Sequence, residues 1–420
     1  MQRSSAAVGR GAIRTQSLLY LPAECCIPAT STEFTSGKWP ESVRAENCGC
    51  WPDSIRRPCK HWPNFRSMFD PLHRAVSRCN CDGRPTPHEL RERKMKRLVL
   101  IALAVFAVGG IGITCACKAG IVTHPYVGYA NIWSVAVCNL EEPFDGSPLK
   151  VTSVRHITAE HVTDVPAQFV ADPFMMQKDG VWYLYYEVLN GDTGEGDIGL
   201  STNSDGVNWK YDSIVLDEDF HLSYPQVLEH NGEIYMIPES SAAGNVRLYR
   251  ATDFPTEWAV ERILVDKPLV DATLHQHDGR WWMFATPCDS WGDLHLYSTD
   301  DLTSGDWAEH PQSPIVTGSA RFARPGGRIV KRGDRLFRLA QDHKLRYGHQ
   351  LWALEITKLT TDEYAESKAG PSPILTADGD GWNGIGMHHL DLHRTSDGKP
   401  FACIDGLQKV LCLGPITLGD

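Results

Sequence analysis

In this 420-residue chain, Asp172, Tyr224, Asp271, Arg324 and the pair His388-His389 recur at matching places ahead of glycine-centred turns. Glu187 and Glu239 follow two of those turns at matching positions, and Asp342 falls close to the same place after a fourth. Carboxylates that converge on one site can perform glycoside chemistry. One must stay protonated to give its proton to a leaving oxygen, and another must stay ionised to activate water or attack carbon. Crowding acids together pushes their pKa values apart, which produces that division of labour. Trp382, in the loop Asp378-Gly-Asp-Gly-Trp-Asn383, is expected to be exposed and able to stack on a sugar face. His388-His389 near Asp391 could be read as metal ligands. Adjacent strand residues point to opposite faces, however, so neither a metal nor any other cofactor is expected. A hydrogen bond from these histidines to a carboxylate or a sugar hydroxyl is the preferred role. The body carries no phosphate-binding loop, no G-x-S-x-G elbow and no Cys-x-x-Cys site.

These residues are placed by an internal repeat. Ala171–Glu187, Ser223–Glu239 and Val270–Thr286 each read as a short strand, a turn of Asp or Asn beside Gly, and an aromatic-rich second strand. Looser copies run over 323–339 and 387–403, and the five starts lie 52, 47, 53 and 64 residues apart. A third strand ending near Trp209, Trp258 or Trp307 follows the first three copies. Three or four antiparallel strands repeated five times predict an all-β, five-bladed propeller over 120–420, with 131–139 and 151–157 as outer or closing strands. In such a fold the first strand of each repeat lines the central channel, and its start faces one mouth. Five polar residues there predict a polar pocket, not a sealed axis. Trp182, Tyr183, Tyr235, Trp281 and Trp282 are expected to pack between blades.

The rest of the chain is of a different kind. Residues 1–97 hold 17 basic and 9 acidic side chains, whereas the remainder holds 24 and 43, so a basic leader precedes an acidic body. Residues 1–94 show no apolar period and include seven of the thirteen cysteines, which predicts a disordered or mis-started leader. Residues 98–116 run nineteen positions without a charge behind Arg91-Glu-Arg-Lys-Met-Lys-Arg97. That length spans a hydrocarbon core of about 30 Å, so 95–117 reads as a transmembrane anchor or signal segment. The basic flank puts the propeller outside the cytosol, single-pass if anchored and secreted if cleaved. The acidic body argues against nucleic-acid binding.

Ala171-Asp-Pro-Phe174, His221-Leu-Ser-Tyr-Pro225, Tyr235-Met-Ile-Pro-Glu-Ser240, Ala323-Arg-Pro-Gly-Gly327 and Gln341-Asp342…Tyr347-Gly348 resemble the N-terminal domain of the plant glucosamine inositolphosphorylceramide transferase family and its stand-alone bacterial relatives. The likeness covers about residues 125–415. That domain is similar in turn to the five-bladed glycosidases of families 43 and 32, which use an Asp of the first blade and acids of later blades. Asp172 matches that first Asp. Tyr224 stands where those enzymes carry a second Asp, and Glu239 closes a strand where their Glu opens one. The reading is a membrane-anchored, exported protein that cleaves or transfers a glycosidic bond of a cell-surface glycan or glycolipid. In it Asp172 is base or nucleophile, Glu239 is the proton donor and Asp271 tunes their pKa values. Arg324, Tyr224, Glu187, Asp342, His388, His389 and Trp382 hold the substrate. The alternative is a non-catalytic glycan-binding propeller that assists polysaccharide or glycolipid assembly.

Overall fold

The computed structural model describes residues 96, 124–141, 144–204, 208–395 and 397–416. The expected leader 1–94 and the apolar stretch 98–116 lie outside the described residues. Among the described residues no helix is long and apolar enough to cross a membrane.

The chain opens with two strands whose partners come last, β1 (His124–Leu140) and β2 (Val151–Ile157). Blade one follows as β3 (Ala167–Lys178), β4 (Val181–Asn190), β5 (Gly196–Asn203) and β6 (Lys210–Leu216). Blade two is β7 (Ser223–His230), β8 (Glu233–Glu239), β9 (Val246–Asp253) and β10 (Glu257–Val265). Blade three is β11 (Leu269–His277), β12 (Arg280–Pro287), β13 (His295–Thr299) and β14 (Ala308–Glu309). Blade four is β15 (Val330–Arg332), β16 (Arg335–Asp342), β17 (Gln350–Leu359) and β18 (Tyr364–Lys368), with β19 (Leu375–Thr376) also on β17. Then β20 (Leu390–Arg394) and β21 (Pro400–Ile416) pair with the opening strands in the order β2-β1-β21-β20. The fifth blade therefore joins both ends of the propeller sequence, as the expected closing strands required.

Turn chemistry sets the register. Asp179-Gly180, Asn231-Gly232 and Asp278-Gly279 all have positive φ at both central positions, which a type I′ turn requires and which Gly with Asn or Asp tolerates. Strand alternation then sends neighbours to opposite blade interfaces. Trp281 packs with Tyr235, Ile237 and Leu269 between blades two and three, whereas Trp282 packs with Leu294, Leu336 and Ile356 between blades three and four. Three further apolar clusters fill the remaining interfaces. Trp182 and Tyr183 join two of them, so the strand aromatics are core residues.

Midway along the inner strands a buried ion pair crosses the axis. Asp391 on β20 accepts from the Met175 N–H of blade one at 2.8 Å, from Arg328 Nε at 2.8 Å, and pairs with His393 Nε2 at 2.8 Å. Arg328 also donates to the Val227 carbonyl of blade two at 3.0 Å and the Met175 carbonyl at 3.3 Å. One ion pair thus joins four blades across the axis. Arg328 and His393 hold the Asp391 carboxyl well below the usual range although its burial acts to raise it. Above this staple the Tyr224 hydroxyl accepts from the Gly327 N–H at 2.6 Å and bonds Thr273 Oγ1 at 2.7 Å.

Candidate functional site

The site at the mouth begins with three strained residues. Asp172, Tyr224 and Asp271 stand at φ of 51°, 47° and 52°, at equivalent places in the first strands of blades one, two and three. At each the pairing with the second strand slips, between Ala171 and Phe174, Ser223 and Gln226, and Val270 and Thr273. A bulge of this kind re-aims a side chain, at a cost of about 1–3 kcal/mol for each left-handed non-glycine residue. Glu187 and Glu239 lie directly across from Ala171 and Ser223, beside the bulges.

Charge is arranged around these bulges in pairs. Arg324 Nε donates to Asp271 Oδ2 at 2.5 Å, and Gln341 Nε2 donates to the same oxygen at 2.8 Å. Asp405, on β21, accepts the His388 and His389 N–H groups on Oδ1 at 3.0 and 3.1 Å and meets His388 Nδ1 at 2.5 Å on Oδ2. The His388 ring is stacked on Trp133 with centroids 4.1 Å apart. Its pKa is raised, because Asp405 and Asp172 outweigh a burial that acts to lower it. His389, fully buried against Phe174 and Tyr224, is driven down to about 4 by that burial and is neutral.

Two acids remain poised near neutrality. Asp172 is pushed up to about 7, first by burial and then by Asp271 and Asp405, against the opposing charges of His388 and Arg324. Glu239 is also pushed up to about 7 by burial, against hydrogen bonds from Ser241, whose N–H donates to Oε1 at 2.8 Å. Asp271 and Arg324 act on both, so the ion pair sits between the two acids in electrostatic terms. Asp172 Oδ1 and both ring nitrogens of His389 make no hydrogen bond among the described residues. His388 Nε2 and His389 Nδ1 stand 3.7 and 3.6 Å from Asp172 Oδ1, beyond hydrogen-bond range. Buried polar atoms are ordinarily satisfied, and orphans concentrated at one place mark a site built for a ligand.

Other expected residues fall differently. Glu187 is buried 3.5 Å from His221 Nε2, and His221 Nδ1 accepts the Gly196 N–H at 2.9 Å, which assigns the ring proton to Nε2 and aims it at Glu187. Asp342 is consumed by Arg321 Nε at 2.7 Å, Gln350 at 2.8 Å, Trp352 at 3.2 Å and the Lys344 N–H at 2.9 Å, so it ties down the blade-four loop. Trp382 is not exposed as expected. Its ring is half-buried on Gly406, where a Cβ would lie 2.3 Å from it, and edge-on to His156 at 4.9 Å. Only a glycine leaves room for that ring, which explains the correction.

Several site residues escaped the sequence reading. Asp405 follows Gly398 by seven positions, as Glu187 follows Gly180 and Glu239 follows Gly232, so a register count would have found it. Trp291 and Tyr347, half-buried in the connections after the second strands of blades three and four, flank the Arg324 guanidinium at 5.2 and 5.3 Å. Together with Trp133 they form an aromatic wall beside the carboxylates. A cavity of about 240 Å³ lined by Phe144, Lys331, Arg332 and Arg394 lies between blades four and five, away from these acids. Asp172, His388 and Asp405 bring ligand atoms within 4.8 Å of one another, so they could hold a metal ion. As they stand, the imidazole already lies between the two carboxylates and offsets their charge.

The family described as glucosamine inositolphosphorylceramide transferase 1, N-terminal, matches residues 132–407. The chain belongs to that family. A glucosamine inositolphosphorylceramide transferase 1 of Oryza sativa subsp. indica is 40% identical over 250 residues, covering 57% of this chain and 33% of the rice protein. The Arabidopsis thaliana protein of the same name is 34% identical over 297 residues, covering 65% of this chain and 39% of its own length. The chain thus spans little more than a third of these relatives. Among solved structures, a Cellvibrio cellulosa α-L-arabinanase mutant aligns at a TM-score of 0.42 and 20% identity, over 57% of this chain and 90% of its own. The catalytic domain of a Coprinopsis cinerea α-L-arabinofuranosidase aligns at 0.44 and 12%, over 64% and 97%. The site carboxylates Asp172, Glu187, Glu239, Asp271 and Asp405 lie inside the span matched to the glucosamine inositolphosphorylceramide transferase N-terminal family.

Proposed function

We propose that the propeller is a carbohydrate-active domain that cleaves or transfers a glycosidic bond in the sugar headgroup of a glycolipid. The observation that carries this reading is Asp172. It is a strained, buried carboxyl with an orphan oxygen, pushed up to about 7, and Glu239 of the next blade is raised alike. Two carboxyls on adjacent blades can share proton donation and nucleophilic or basic work. Asp271, pinned by Arg324 and Gln341, sets their field. Trp291 and Tyr347, half-buried beside Arg324, offer aromatic surface to a sugar. The names of the rice and thale-cress relatives point to an inositolphosphorylceramide-type substrate, and the Arg324 guanidinium suits an anionic or hydroxylated headgroup. The apolar stretch 98–116 behind its basic flank favours a single-pass anchor with the propeller outside the cytosol.

The test is a mass-spectrometric assay of sugar release or transfer on glycosylated inositolphosphorylceramide in mixed vesicles, comparing wild type with Asp172→Asn and Glu239→Gln. Each variant is expected to lose at least about 100-fold in rate. Equal turnover by wild type and Asp172→Asn removes Asp172 from the chemistry. A second reading, a glycan-binding propeller without turnover, draws on the near-complete burial of Asp172, Glu239 and Asp271, at 4%, 5% and 0% exposed. Saturable sugar binding with no product from wild type would establish it.

A further inference from the structure

The mouth that holds the acids is also where apolar side chains stand in solvent. Five large hydrophobic residues are prominently exposed among the described residues, and three belong to this rim: Leu345 at 74%, Tyr129 at 65% and Leu411 at 56%. Their placement follows from the topology. The loop 343–349 joins β16 to β17 at the mouth, because Tyr347 within it lies against Arg324. Strand β21 passes Asp405 in the site and runs on through Lys409 and Leu411, while β1 approaches Trp133 through Tyr129. Both strands are seventeen residues long, far more than the blade needs, so they carry a ribbon past the site.

Each exposed apolar residue has basic company. Leu345 is flanked in sequence by exposed Lys344 and Arg346, and Lys409 lies 4.3 Å over the Tyr129 ring. This clustering stands out in a body whose residues 98–420 carry 24 basic against 43 acidic groups. The mouth connections of blade one are acidic instead, with Asp192, Asp217 and Asp219 exposed. Asp378 and Asp380, exposed before Trp382, are turned into local hydrogen bonds with the Asp380 and Gly381 N–H groups. Apolar tips framed by lysine and arginine match the headgroup zone of an anionic bilayer, where the chain ends enter the acyl boundary and the cations meet lipid phosphates. In the sequence, the apolar stretch 98–116 ends seven residues before β1 opens.

We infer that the rim of blades four and five, through Leu345, Leu411 and Tyr129 with Lys344, Arg346 and Lys409, seats on an anionic lipid surface and turns the acid-lined mouth toward it. The acidic rim of blade one is then repelled and held clear, which leaves a lateral opening through which a lipid-borne headgroup reaches Asp172. The inference rests on the glycolipid reading for what passes through that opening, and not for the seating itself.

The test uses the full chain in nanodiscs of phosphatidylcholine with phosphatidylglycerol, the lipids carrying acyl-chain nitroxide quenchers. A polarity-sensitive fluorophore is placed at Leu345→Cys and, as the far-end control, at Glu233→Cys. Signal from native cysteines is subtracted with the unsubstituted chain. Quenching at 345 is expected to exceed that at 233 by about twofold or more, with a blue-shifted emission at 345 alone. It should fall to the control level in pure phosphatidylcholine, and likewise when Lys344→Glu and Arg346→Glu are added. Equal quenching at the two sites, or quenching at 345 indifferent to phosphatidylglycerol and to charge reversal, overturns the inference. Because the label reports depth without turnover, activity that survives in Asp172→Asn counts against the chemical reading and leaves the seating standing.

Discussion

Glu239→Gln should make the protein more stable at alkaline pH while removing its proposed proton donor. Glu239 is 5% exposed, and burial pushes its carboxyl from an ordinary 4.5 up to about 7. Between those values the native state keeps a proton that the unfolded chain has released. Stability therefore falls as pH rises through this window. The contribution is fully present below about 4.5 and gone once pH passes about 7. At about 1.4 kcal/mol per unit, the window is worth about 3 kcal/mol. Glutamine cannot ionise, yet its carbonyl can still accept the Ser241 N–H that Oε1 now accepts at 2.8 Å. Urea unfolding of wild type and variant at pH 5, 6, 7, 8 and 9 measures the difference. The variant should gain about 2–3 kcal/mol relative to wild type between pH 5 and pH 8, with most of the gain between 5 and 7. A difference that stays flat across that range would refute the reasoning, since Glu239 would then be ionising as it does in the unfolded chain.

Asp391→Ala leaves Arg328 without its counter-charge in the axis and should cost about 3–5 kcal/mol at pH 7 by urea unfolding. Because the Asp391 carboxyl is depressed in the fold, its contribution is present above its unfolded pKa and lost as pH falls, so the gap to wild type should shrink in acid. Gly327→Ala places a Cβ 1.9 Å from the Leu390 carbonyl oxygen at a φ of 131°, and the melting temperature should drop by an amount equivalent to about 2 kcal/mol or more. Trp291→Ala should weaken sugar binding in calorimetry by about tenfold, the value of one lost stacking contact of about 1–1.5 kcal/mol, while the urea midpoint moves little. An unchanged affinity would remove Trp291 from the binding wall.

The propeller was legible because its hairpins repeat one piece of turn chemistry. Asp or Asn beside Gly recurs with alternating aromatics on both sides, and the 47- to 53-residue spacing of the first four copies leaves room for one blade each. Asp172, Tyr224 and Asp271 were found by the same ruler. It was misread in the looser copies. Counting seven from Gly333 gives Ala340, not Asp342, and counting seven from Gly398 gives Asp405. His221, Trp291 and Tyr347 were beyond the ruler, since they sit in connections without a period. Their direction is set by tertiary packing, as when Trp291 and Tyr347 both close on Arg324. The exposure of Trp382 failed for a related reason: the glycine that receives its ring is twenty-four residues away in sequence.

Two levels of the axis separate structural polarity from functional polarity. Midway down the axis, Asp391 carries a buried charge as complete as those at the mouth, yet its oxygens are answered by Arg328, His393 and a backbone N–H from another blade. Its pKa is depressed, the behaviour of a group whose charged form the fold needs. At the mouth, Asp172 is equally enclosed but sits in a left-handed backbone, leaves Oδ1 without a donor and is raised toward neutrality. A fold selected only for stability would satisfy both levels alike. Strain, orphan acceptors and raised acids converge at the mouth and are absent from the staple beneath it, so the mouth is where the propeller gives up stability for binding and proton transfer.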